Sequence, residues 1–219
     1  MKPVAAIVPA YNEEETIGPV VKALVGSGFF NEVIVISDGS TDKTAAYARE
    51  AGATLVHELP RRGGKAAAMQ HGITHTDAPI IFFADADLYG FNKDHIKKIL
   101  DPVVQGKKVM NVGIRDRGAF FMGLSKHLPL IGGERAIIRK VIEDIPQKYL
   151  QGFMVEAAMN YYCRSRKLPY GSVPCNGLHI RHKYQKVGVG KAMGQYFRMS
   201  WQVLHAMIAV RWAHLLGKF

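Results

Sequence analysis

The chain has 219 residues, 48% of them hydrophobic, enough for one sizeable α/β domain and too few for two full ones. Its formal net charge of +11 is local: residues 1–156 hold 19 Lys and Arg against all 18 acids, whereas residues 157–219 hold 10 basic residues and no acid. Cys163 and Cys175 are the only cysteines, no stretch resembles a secretory signal, and no run approaches the ~20 apolar residues of a bilayer span. The expectation is a reducing, cytoplasmic setting without a transmembrane helix.

In chain order, Val4 to Val8 reads as a short apolar strand, followed by the turn Pro9-Ala10-Tyr11-Asn12 and an amphipathic helix starting near Glu14. The pattern recurs in "EVIVISDGSTDKTAAYAREAGA", with a strand to Ile36, a polar turn, a helix capped near Thr41 or Asp42, and Gly52 ending it. "TLVHE" is a third strand, "RRGGKAAAMQHGI" a glycine-rich turn feeding a helix, and "PIIFFADAD" a fourth strand. Strands alternating with helices at this spacing predict a mostly parallel central sheet flanked by helices, with the ligand crevice at the strands' carboxyl ends.

The polar residues fall at those ends. Tyr11, Asn12 and Glu13 follow the first strand, Asp38 the second, Arg61 to Lys65 the third, and Asp85 with Asp87 the fourth. In an extended chain, side chains two residues apart share a side, so Asp85 and Asp87 are expected to face one spot, where paired carboxylates want a cation. The competing reading is a polar turn with each Asp bonding local N–H groups. Neither a G-x-G-x-x-G nor a G-x-x-x-x-G-K-[ST] motif occurs, which disfavours a dinucleotide site and a Walker-type phosphate loop.

"VPAYNEEETI", "ISDGSTDKT", "RRGGKAAAMQHGI" and "FFADADL", in that order and spacing, resemble the family 2 glycosyltransferases with the glycosyltransferase A fold, which is Rossmann-like. The match covers roughly residues 3–90. More loosely, "GGERAIIRKVIEDI" and "QGFMVEAAMNYYCRSRKLPYGSVP" are similar to the dolichyl- or polyprenyl-phosphate mannose synthase branch. The resemblance implies a nucleotide-diphosphate-sugar donor, a UDP- or GDP-sugar. Asp38 would meet its base, and Pro9, Ala10, Tyr11, Asn12, Glu13, Lys65 and Ala86 would line it. Asp85 and Asp87 would hold Mg2+ or Mn2+ on the diphosphate, the ion stabilising charge on the leaving group. Ser37 stands where the family usually carries a second acid.

Asp87 and Glu156 are the expected catalytic residues, Glu156 as base for a hydroxyl acceptor, although Ala157 replaces the second acid of the usual pair. A phosphate acceptor needs no base, and the looser resemblance implies that Arg115, Arg117, Arg135 and Arg139 could bind it, as similar arginines do in the polyprenyl-phosphate branch. For Arg135 and Arg139, read as four apart on one helix face, a surface salt-bridge role competes. Arg181 and Lys183 belong to a basic, glycine-interrupted loop expected to close over a phosphate. His179 and His182 lack a third ligand nearby in sequence, so no metal is expected there.

The domain expectation is a catalytic unit over residues 1–189 and amphipathic helices over 190–219. From Lys191, the residues Gln195, Arg198, Gln202 and His205 continue one polar stripe, with Met193, Phe197, Trp201, Leu204 and Ile208 on the remaining arc. A basic, acid-free tail of this kind suits an anionic membrane surface. The combined expectation is a metal-dependent glycosyltransferase acting on a lipid or lipid-phosphate acceptor at the cytosolic membrane face, peripheral to it. A soluble or polysaccharide hydroxyl acceptor is the alternative. A homo-oligomer is compatible with the sequence, and a nucleic-acid-binding module is disfavoured because it has no use for a rim of four polar turns, three of them bearing carboxylates.

Overall fold

The computed structural model describes residues 2–115, 132–152 and 154–180. Its main sheet has the order β3-β2-β1-β4-β7-β6-β8, from β1 (Val4–Ala10), β2 (Glu32–Ser37), β3 (Leu55–Glu58), β4 (Ile80–Phe83), β6 (Met110–Arg115), β7 (Arg135–Ile138) and β8 (Tyr170–Cys175). A short antiparallel pair joins β5 (Leu88–Tyr89) to β9 (His179–Ile180). The mostly parallel sheet expected from the sequence is the one observed.

Both faces of this sheet are covered, which is why its central strands read as unbroken apolar runs rather than as an alternation. Ala5 and Ile7 of β1, Ile34 and Ile36 of β2 and Ile81 and Phe83 of β4 turn to one side. There they meet Met69 of α3 (Lys65–Ile73), Val141 and Ile142 of α5 (Arg139–Glu143), and Met159 and Tyr162 of α6 (Met154–Ser165). Val4, Ala6, Val8, Val33, Val35, Ile80 and Phe82 turn to the other. They meet Ile17, Val21 and Leu24 of α1 (Ile17–Ser27), Ala48 of α2 (Thr44–Glu50), and Ile96, Ile99 and Leu100 of α4 (Lys93–Val104). Asn92 caps α4, accepting from the N–H groups of Asp94 and His95.

Direction matters more than order for the site. β1 to β4 are mutually parallel, and β6 is parallel to β8, but β7 runs antiparallel to both of its neighbours, β4 and β6. Phe83 pairs with Arg135 and Ile80 with Ile138. The amino end of β7 therefore lies beside the carboxyl ends of β4 and β6, and residues 132–135 join the rim that the parallel strands define.

Two sequence expectations change here. Arg135 and Arg139 do not share a helix face: Arg135 opens β7 and Arg139 opens α5 beyond its far end. β4 stops at Phe83, so Asp85 lies past the strand and Ala86 and Asp87 form a turn; strand alternation does not account for their orientation.

Candidate active site

The first two turns interlock through side chains on backbone donors. Asn12 has φ 52°, a left-handed conformation that Asn tolerates better than most residues. Its amide N–H donates to Ser40 Oγ at 3.2 Å, and its Oδ1 accepts from Thr41 N at 2.9 Å. Glu13 N donates to Thr44 Oγ1 at 2.8 Å. Asp38 is buried, and its carboxylate accepts from Gly63 N and Gly64 N, both at 2.7 Å. Asp38 thus ties the β2 turn to the glycine-rich turn before α3, a role the sequence did not suggest for a base-binding acid. Gly64 sits at φ 93°, which an L side chain rarely adopts, and it hands the chain to α3. Over this wall, the Arg62 guanidinium stacks 4.1 Å from the Tyr11 ring centre.

Beyond it lies an ionic cluster. Lys65, first residue of α3, reaches Asp85 Oδ1 at 2.7 Å and Glu156 Oε1 at 3.1 Å. Arg115, last residue of β6, donates to Asp85 Oδ2 at 2.5 Å and holds Glu134 through both Nη2, at 2.6 Å, and Nε, at 3.1 Å. Arg135 is fully buried, 3.6 Å from Glu156 Oε2, and donates to Gly132 O at 2.6 Å. Its Nε is buried without a described partner. Glu134, at 0% exposure beneath Arg115, was missed by sequence reading, because nothing local distinguishes it from any acid in a loop.

Charge sets the protonation states. Burial raises Asp85's pKa, but Lys65 and Arg115 outweigh it and hold the carboxyl well below its ordinary range. Asp87 goes the other way, pushed up by burial and then by the negative charges of Asp85 and Glu13. Glu134 is also raised, by burial and by Asp85, against the pull of Arg115. Burial pulls Lys65 down, yet Asp85 and Glu156 leave it raised and charged. Among the described residues, the four carboxylates Asp85, Asp87, Glu134 and Glu156 thus stand around three cations, Lys65, Arg115 and Arg135, with Glu13 near enough to act on Asp87. Asp87 makes no ion pair with a described residue. An oxygen-rich spot short of positive charge fits a hard divalent ion, with Asp87 as its open carboxylate and Asp85 beside it.

The remaining expected residues divide by position. Pro9, Ala10, Tyr11, Asn12 and Glu13 end β1 or follow it, and Ala86 is buried between the two aspartates. Arg115, Arg135 and Glu156 stand in the cluster. Arg139 does not: its guanidinium donates to the carbonyls of Ala78, Thr76 and Ile73 before β4, at the opposite end of the sheet from the rim. It is a structural clamp there. Arg117, Arg181, Lys183 and the stretch 190–219 lie outside the described residues. His179, however, pairs with Tyr89, so the strand leading to Arg181 is bonded to the segment that follows Asp87. Cys163 and Cys175 are buried, and burial pushes their thiols up to about 12 and about 11.

Residues 5–160 match the family model described as glycosyl transferase family 2. Over 112 residues the chain is 37% identical to 4,4'-diaponeurosporenoate glycosyltransferase of Staphylococcus aureus strain MRSA252, and to that of strain USA300, a span of 49% of this chain. The match covers 30% of each relative, so the chain spans about a third of their length. Among solved structures, glucosyl-3-phosphoglycerate synthase from Mycobacterium tuberculosis with Mn2+, uridine diphosphate and phosphoglyceric acid superposes with a TM-score of 0.79 at 23% identity, over 95% of this chain and 78% of that one. The same enzyme with Mg2+ and uridine diphosphate gives 0.80 at 22%, over 95% and 79%. At those identities the likeness is one of fold.

Proposed function

The chain belongs to glycosyl transferase family 2, and from that membership we propose that it transfers a sugar from a nucleotide-diphosphate sugar, with a divalent ion, to a lipid acceptor at a membrane face. The observation that carries the donor half is the charge balance around Asp85 and Asp87, where four carboxylates meet three cations. Mg2+ or Mn2+ held by Asp87 with Asp85 would stabilise the negative charge that develops on the departing diphosphate. The crystallised synthase with Mn2+ or Mg2+ and uridine diphosphate lends the same reading support.

The chain's own residues supply the rest. The Asp38 clamp and the interlocked turns after β1 and β2 preform a wall for the nucleoside, and Arg62 over Tyr11 closes one side of it. Lys65, raised and charged, stands ready to exchange Asp85 for phosphate oxygen. Arg181 and Lys183 would follow, fed from the strand beside Asp87.

For the acceptor, the acid-free residues 157–219 support an anionic membrane surface and hence a lipid. The nucleophile on that lipid is better read as a hydroxyl than as a phosphate. Arg115 and Arg135 are engaged by carboxylates and Arg139 is at the far end, which weakens a phosphate-binding arginine set. Glu156 stands at the rim, and although Lys65 and Arg135 hold it here, movement of Lys65 onto a donor phosphate would free one of its oxygens to act as base. A phosphate acceptor stays the second reading, favoured if a nucleotide-sugar complex turns Arg115 away from Asp85. We further propose residues 1–189 as the catalytic unit and 190–219 as its membrane-docking helices, peripheral on the cytoplasmic face. Among the described residues no helix is long and apolar enough to cross a membrane.

Thermal unfolding against a panel of nucleotide sugars, with and without Mn2+, tests the donor half. A nucleotide sugar at 100 times its Kd adds about 2.7 kcal/mol of stability. A shift for at least one UDP- or GDP-sugar that vanishes with chelator is expected; no shift from any of them ends the proposal.

A further inference from the structure

Away from the rim, three imidazoles converge on the α3 side of the sheet edge. His57 lies on the edge strand β3 and His71 in the last turn of α3, and His75 follows four residues on, which stacks it over His71. Their ring centres are 4.5, 4.8 and 5.0 Å apart, a nearly equilateral triangle. Each offers one ring nitrogen, and these three atoms lie within 4.8 Å of one another. All three residues are half-buried. No acid-rich or glycine-rich motif marks them, and the mechanism above does not use them.

We propose that His57, His71 and His75 form a second metal site, for a borderline transition ion of the Zn2+ class, with the fourth position open to water.

Bond lengths decide in its favour. Nitrogens bound tetrahedrally at about 2.0–2.1 Å stand about 3.3–3.4 Å apart, and His71 Nε2 lies 3.1 Å from His75 Nε2. The three ligand atoms lie within 4.8 Å of one another, so a bound ion would have to draw the His57 ring inward. Two ring nitrogens this close need either a shared proton or a shared cation. Adding a full positive charge to one ring is opposed by its neighbours: burial, then His57 and His75, lower His71's pKa. Neutral imidazole is the form that binds metal. Imidazole ligands select Zn2+, Co2+, Ni2+ or Cu2+ over Mg2+, the reverse of the carboxylate cluster. The spacing H-x3-H from a helix end, with a third ligand from a strand, also matches the way known zinc sites are assembled.

The consequence is a clip between edge strand and helix. The bound ion would join edge strand β3 to the last turn of the helix whose first residue, Lys65, sits between Asp85 and Glu156. Such an ion stabilises the apo rim without taking part in sugar transfer.

The test uses the untagged full chain, stripped with chelator and then kept in excess Mg2+ so that the carboxylate cluster is satisfied. Titration with Zn2+, followed by calorimetry, should show one tight site per chain and a raised Tm, and Co2+ should give the absorption of a four-coordinate site. His57→Gln and His71→Gln should each weaken that site at least about 100-fold, while Asp87→Asn leaves it intact. Diethyl pyrocarbonate footprinting of the wild type should show Zn2+ protecting positions 57, 71 and 75 together, a readout that holds even if a variant fails to fold. Absence of micromolar Zn2+ binding, an unchanged site in both Gln variants, or protection confined to other histidines overturns the proposal.

Discussion

The backbone of Gly133 lies so close to the carboxylate of Asp85 that a β-carbon there would overlap both of its oxygens. Asp85 is meanwhile held by Lys65 and Arg115, so it cannot retreat without breaking ion pairs. Gly133→Ala should therefore displace Asp85, cost about 1–3 kcal/mol of stability and lower turnover together with it. Urea unfolding and steady-state rates check this; a variant of wild-type stability and activity would show that the rim gives way freely.

Asp87→Asn keeps size and shape at an open carboxylate, so the fold should persist while turnover falls at least ~100-fold through lost stabilisation of the leaving group. Donor binding, measured by thermal shift with Mn2+, should fall with it. Full activity in that variant, or in wild type with excess chelator, contradicts the assigned metal role.

The two aspartates should respond to acid with opposite signs. Asp85's folded pKa is lowered by Lys65 and Arg115 despite burial. Its contribution is complete above the unfolded value of about 3.9 and is lost as pH falls through the folded one. Asp87's is raised, by burial and then by Asp85, so the folded state keeps its proton longer, and the contribution fades as pH rises through the raised value. In metal-free protein, Asp87→Asn should raise Tm at neutral pH, and Asp85→Asn should lower it. The same sign for both variants would refute the electrostatic account.

For the acceptor, Glu156→Gln should cut turnover by ~10²-fold to 10⁴-fold with donor binding little changed if a hydroxyl attacks. Losing the charge that faces Lys65 and buried Arg135 should also destabilise by about 1–3 kcal/mol. A loss of only a few-fold would favour a phosphate nucleophile.

Docking on a membrane is checked by flotation. The intact chain should co-float with anionic vesicles and less with neutral ones, high salt should weaken it, and a chain ending near Gly190 should stay behind. Indifference to anionic vesicles at low salt would remove the main support for a lipid acceptor.

Alternating apolar strands and helices were enough to find β1 to β4 and the turns after them, because each unit there is local: strand, polar turn, helix. The second half yields less. β7 is only Arg135–Ile138, too short to show a period, and its reversed direction follows from pairing with β4 and β6, which no nearby residue announces. Spacing of four between Arg135 and Arg139 therefore suggested a helix face where a strand spans the gap. Glu134 was invisible for the same reason, and so were the partners of Asp38, Gly63 and Gly64, which are backbone N–H groups with no side chain to read. Asp85, Asp87, Lys65 and Glu156 could be named beforehand, but their division of labour, one aspartate neutralised and the other open, came from distances alone.

The reversal of β7 also gives the sheet two unlike poles. The connection leaving Arg115 and returning at Gly132 begins and ends at the rim, its two anchors lying against Asp85 and Arg135. Arg139 itself lies at the opposite pole, where its guanidinium is held by the backbone carbonyls of Ala78, Thr76 and Ile73.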